Sequence, residues 1–91
     1  MRRIVQRRQF RNDLKRQKLR GKDIEELIAA VELLAETGTL PAEYRPHRLS
    51  GEWKSVWECH IEPDWLLIYR IDHDAGELVL GRTGTHADLL E

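Results

Sequence analysis

The sequence predicts an α+β fold in which a short strand and two helices precede an antiparallel meander, and three observations predict it. Apolar residues recur at helical spacing up to about position 37 and at strand spacing beyond the next loop. Gly38 and Pro41 close the helical half. The later apolar runs are joined by turns too short for a crossover helix, which makes neighbouring strands antiparallel.

Taken in order, residues 2–5 form a short edge-strand candidate. From about Arg7 the pattern is helical, with Phe10 and Leu14 four apart and most basic residues off that line, and it ends near Gly21. Asp23 and Glu26 have the spacing of a helix N-cap, ahead of an apolar stripe of Ile24, Leu27, Ile28, Val31, Leu34 and Ala35. The stretch 37–46, with Pro41 and Pro46, reads as a connecting loop. Strand-like runs follow near 53–61, 65–71 and 77–83, separated by Glu62-Pro63-Asp64 and by the turn 72–76. A single helical turn is expected at Ala87–Leu90. Within 55–61, alternation places Val56, Glu58 and His60 on one face and Trp57, Cys59 and Ile61 on the other.

A chain of 91 residues has room for one domain, 1–91, with one modest core. It is 41% hydrophobic and 34% charged, and no run approaches the roughly 20 apolar residues of a membrane span, so no membrane partner is expected. The basic N-terminus has no apolar stretch of the signal-peptide kind, which points to the cytoplasm. A lone cysteine, Cys59, excludes an intramolecular disulfide and gives no zinc-thiolate signal; it reads as a buried strand residue. The formal net charge of -1 conceals a strong asymmetry. Through Lys22 there are ten basic residues against the single acid Asp13, leaving the other 69 residues at -10. Such a block can neutralise RNA phosphates or receive an acidic protein, and it can also be an ordinary solvated helix face.

The candidate chemistry lies where the strands meet their turns. His60 ends one strand, Asp64 begins the next, and His86 follows the last, while His47 precedes the meander and can join the same edge. Histidine transfers protons near neutral pH, and a neighbouring carboxylate fixes its tautomer. Arg82 and Arg48 are candidates for neutralising a phosphate, and Trp65 for stacking on a base. Trp53 and Trp57 read as core. The interval from His60 to Asp64 crosses a proline-containing turn instead of following one helix face, which disfavours zinc. The four histidines are spaced uniformly by 13, but their flanking residues share no pattern, so no repeat is inferred.

Three segments resemble the YafQ family of the RelE superfamily: His47-Arg48-Leu49-Ser50-Gly51-Glu52-Trp53, Glu58 through Tyr69 with its His60-Ile61-Glu62-Pro63-Asp64-Trp65 centre, and Arg82-Thr83-Gly84-Thr85-His86-Ala87-Asp88-Leu89. The resemblance runs through the whole chain and is strongest from His47 onward. It implies a RelE-like microbial ribonuclease fold, ribosome-dependent cleavage of messenger RNA without a cofactor, and neutralisation by an antitoxin encoded nearby. By the same resemblance His47, His60, Asp64 and His86 are the catalytic positions; His86, after the Thr83-Gly84-Thr85 turn, reads from its position as the general acid, with His47 or His60 as base. The family's C-terminal aromatic is replaced by Leu90. The alternative is a catalytically degenerate member that only binds antitoxin or RNA, which leaves the intact four-residue set unexplained.

Overall fold

The computed structural model describes residues 1–49 and 55–90, together with the side chains up to Leu89. Trp53 and the side chain of Leu90 lie outside the described residues. Strand β1 (Arg3–Gln6) leads into helix α1 (Arg8–Leu19) and helix α2 (Ile24–Thr37). A 3-10 turn at Ala42–Tyr44 then precedes the two-residue strand β2 (His47–Arg48), and β3 (Val56–Glu62), β4 (Trp65–Asp72) and β5 (Glu77–Gly84) form the meander before the short helix α3 (His86–Leu90). The α+β class and the order of elements agree with the sequence. No helix among the described residues is long and apolar enough to cross a membrane.

The five strands are ordered β1-β5-β4-β3-β2. The meander is antiparallel throughout, whereas β1 runs parallel to β5. The helices make this parallel pairing feasible, because parallel neighbours need a long excursion between them. β2 is the element that sequence periodicity does not separate from its loop, since two residues carry no period.

The helices form for local reasons. Asp23 caps α2 by accepting from the Glu25 N–H at 3.1 Å, and Glu25 and Glu26 suit the positive end of the helix dipole. Gly38 ends α2 in the left-handed conformation at φ 77°, donating its N–H to the Leu34 carbonyl. A Cβ there would also meet the Arg2 guanidinium at 2.8 Å. The buried stripe of α2 is Leu27, Ala30, Val31, Leu34 and Ala35. Ile24 packs at its margin, but Ile28, expected in the stripe, is 40% exposed because the buried face turns through Ala30 instead.

Leu27, Val31, Leu34, Ala35 and Phe10 pack on Cys59, Trp65, Leu67, Tyr69, Leu78 and Leu80 of the sheet, with Trp57 and Ile61 partly buried against them. The predicted alternation of β3 is therefore observed. Burial of large apolar side chains of this kind, each contributing about 1.5–3 kcal/mol, stabilises the helical layer on the sheet. Cys59 is fully buried, and burial pushes its thiol up to about 12. A bulge at Gly81 interrupts the ladder between β4 and β5. Ile68 pairs with Arg82 while Tyr69 pairs with Leu80, so the extra residue keeps Leu78, Leu80 and Thr83 buried and re-aims Arg82.

Candidate active site

Register across the sheet gathers the polar groups on one face. His47 pairs with Glu58, Glu58 with Ile68 and Ile68 with Arg82, giving one row across four strands. The adjacent row is His60, Leu66 and Gly84. His86 begins α3 directly beyond that second row. The ring centres of His47 and His60 are 6.4 Å apart and those of His60 and His86 5.9 Å apart, so three of the four histidines line one surface.

Asp64, in the β3–β4 turn, faces His86. Its Oδ1 accepts from the His86 backbone N–H at 2.9 Å and lies 2.5 Å from Nδ1 of the imidazole. The backbone N–H first, and the imidazole second, hold the Asp64 carboxyl below its ordinary value. This contact fixes Nδ1 as a donor and directs Nε2 outward. Nδ1 of His60 lies 3.4 Å from the Pro63 carbonyl, which also favours a proton on Nδ1 and an open lone pair on Nε2. His47 differs. Nδ1 is 3.0 Å from the Arg45 carbonyl and Nε2 is 3.3 Å from Glu58 Oε1, so both ring nitrogens are engaged.

Arg82 is aimed by a residue that sequence pattern alone does not single out. Asp13 of α1, only 6% exposed, accepts from Arg82 Nε at 2.7 Å, from Nη2 at 3.3 Å and from the Thr83 N–H at 3.1 Å. The bidentate contact orients the guanidinium plane, and the paired carboxylate raises its pKa. Asp13 is the lone acid in the basic block, and that isolation was its available signal.

Two other expected substrate contacts are corrected. Trp65 is fully buried in the core, with Nε1 donating to Thr83 Oγ1 at 2.9 Å, and has no open ring face for a base. Arg48 pairs with Trp57, on the opposite face from His47, and lines a cavity of about 440 Å³ with Trp57, Tyr69 and His73. Alternation in a two-residue strand forces that separation. Among the described residues no group of three or more His, Cys, Asp or Glu side chains could hold a metal ion.

A family model described as a bacterial toxin of type II toxin-antitoxin system, YafQ, matches residues 2–91. The chain belongs to the YafQ family. It is 43% identical to the mRNA interferase toxin YafQ of Escherichia coli K12 over 82 residues, 89% of this chain and 87% of that protein. YafQ in the E. coli DinJ–YafQ complex superimposes with a TM-score of 0.91 at 39% identity over the whole of both chains. A metal-bound toxin from Helicobacter pylori is similar at 37% identity and TM-score 0.91, covering 98% of this chain and 99% of that one. The RelE-like fold is thereby established for this YafQ-family chain.

Proposed function

We propose that this chain is a ribosome-dependent endoribonuclease toxin that cuts messenger RNA by acid/base catalysis without a metal and is held in check by an antitoxin encoded beside it. The observation that carries the reading is the Asp64-bound His86 facing His60 across 5.9 Å, with Arg82 on the neighbouring row. Two imidazoles at that separation, side by side on one face, can each reach one oxygen of a phosphodiester laid across them.

In the proposed reaction Nε2 of His60 takes the proton of the ribose 2′-hydroxyl as the 2′-oxygen forms its bond to phosphorus. Arg82 offsets the negative charge that develops on the phosphorane. The bond to the 5′-oxygen then breaks, and Nε2–H of protonated His86 supplies the proton that oxygen needs. Asp64, bound to Nδ1, holds the imidazole of His86 in place for that transfer. The products are a 2′,3′-cyclic phosphate and a 5′-hydroxyl. Because both nitrogens of His47 are engaged, His60 is the better base, and His47 with Glu58 forms the rim of the site.

Dependence on the ribosome follows from how little the face offers for reading bases, since a pre-ordered messenger supplies the positioning. The E. coli relative is named an mRNA interferase and is found in complex with DinJ, which supports both the activity and an antitoxin partner. The test is induced expression with and without the neighbouring open reading frame, together with cleavage of free and ribosome-bound messenger at matched salt. Growth arrest relieved by the neighbour, and 5′-hydroxyl ends produced on translated messenger well above free RNA, are expected. Equal cleavage of both substrates refutes ribosome dependence, and no cleavage of either refutes the nuclease reading.

A further inference from the structure

The proposed acid, His86, stands on α3, a helix of five residues that is too short to be stable by itself. Something outside it must hold its first turn. Asp88, two residues along, is the most heavily bonded carboxylate in this part of the molecule. Its Oδ2 accepts from the Thr85 N–H at 2.9 Å while its own N–H donates to Thr85 Oγ1 at 3.1 Å, which is the reciprocal capping box of a helix start. The same carboxylate takes Arg20, the residue that caps the C-terminus of α1, through Nη1 at 2.6 Å and Nη2 at 3.0 Å, with Arg16 Nη1 and the buried Gln17 Nε2 of α1 each at 3.4 Å.

We propose that Asp88 is a positioning residue for His86, clamping the first turn of α3 onto α1 through Arg20 so that the imidazole meets Asp64. Several features support the clamp over a simple cap. A capping box needs only Thr85 and Asp88, whereas here Arg16 and Gln17 of α1 and its C-cap residue Arg20 converge on the carboxylate as well. The carboxylate is 11% exposed, so its pairing with Arg20 is partly shielded from water. Gly84 is pressed against it, since a Cβ there would lie 2.8 Å from Asp88 Oδ2. His86 lies between the two halves of the box, with backbone and ring both bonded to Asp64, so a loosened first turn disturbs both contacts together.

The role rests on the nuclease reading only for its catalytic consequence, and the experiment separates the two. Wild type, Asp88→Ala and Asp88→Asn are compared by single-turnover cleavage of ribosome-bound messenger and by carbon NMR titration of the Asp64 carboxyl. Asp88→Ala is expected to lower the maximal rate about tenfold with KM within about twofold, because a displaced acid impairs chemistry more than binding. The Asp64 titration should rise toward the ordinary aspartate value near about 3.9, because its His86 contacts depress it. Asp88→Asn keeps an acceptor for Thr85 but loses the charge facing Arg20, and should move both readouts less in the same direction. If the Ala variant does not fold, Asp88→Asn alone decides. A lowered Tm with unchanged rate and unchanged Asp64 titration makes Asp88 a helix cap and overturns the proposal. If wild type cuts no messenger, the nuclease reading falls while the Asp64 titration still decides whether Asp88 positions His86.

Discussion

Asp13→Ala tests whether α1 aims the candidate phosphate-binding group. The substitution leaves the buried Thr83 N–H without its acceptor and Arg82 without its counter-ion. Removing one partner of a fully buried pair costs about 3–5 kcal/mol. The Arg82 side chain is 31% exposed, so water replaces part of what is lost and the expected loss is about 2–3 kcal/mol. In a domain of this size about 1 kcal/mol moves Tm by about 4–8 °C, so Asp13→Ala should melt about 10–20 °C lower. Arg82→Ala should also destabilise, since it leaves the buried Asp13 carboxylate with only the Thr83 N–H as partner. Denaturant melts of the two single variants and the double variant form a cycle, and contact between the groups predicts a coupling of about 1–2 kcal/mol. Cleavage by Asp13→Ala, assayed well below its Tm, should fall toward that of Arg82→Ala. Losses that add to within about 0.5 kcal/mol would show that the two groups are not coupled and refute the claim that Asp13 orients the guanidinium.

Replacing His86 with Ala should lower the single-turnover rate about 10²–10⁴-fold, with Gln nearly as damaging because it transfers no proton near neutral pH. The side chain is 47% exposed, so melting should change little; an active but destabilised Ala variant would remove His86 from the mechanism. Acid should destabilise the fold through Asp64 and Asp88, whose carboxyls are both held below the ordinary aspartate value in the folded chain, Asp64 first by the His86 backbone N–H and Asp88 first by Arg20. Their contribution is fully present above the unfolded value of about 3.9 and is lost as pH falls through the folded values. Thermal melts should therefore be flat in this respect from pH 7 to 5 and fall below about pH 4, with Asp88→Asn showing a shallower fall.

The sequence was most informative where a period or a turn is enforced by many residues. The meander, the β3 alternation and the stripe of α2 each rest on repeated apolar positions, and the structure retains all of them apart from Ile28. It was least informative where one side chain's fate depends on distant chain. Trp65 could stack on a base or fill the core, and local pattern gives no preference until Thr83, eighteen residues away, receives its indole N–H. Arg48 falls on the face opposite His47, and β2 is too short to announce that register. Asp13 and Asp88 were overlooked although both carried signals, one as the lone acid among ten bases and the other through Thr85-x-x-Asp88 spacing. The alignment of His47, His60 and His86 was legible only as a convergence of turns. Their common face depends on the register of four strands, and the aim of Arg82 depends on a bulge at Gly81 that no periodicity reveals.

The position of β5 also constrains when the candidate site can be complete. The last strand among the described residues, it is inserted between β1 and β4 and carries Arg82, with His86 two residues beyond its end. A nascent chain lacking residues 77–90 has an unpartnered β1, an open edge on β4, and neither the proposed acid nor the proposed phosphate-binding group. The contacts that complete the site, Asp13 to Arg82 and Arg20 to Asp88, join residues 69 and 68 positions apart. Such distant pairings form late because the intervening chain must first be ordered. Assembly of the candidate site is thereby deferred until nearly all of the described chain has been made, so a partly made chain carries no complete site for the proposed activity.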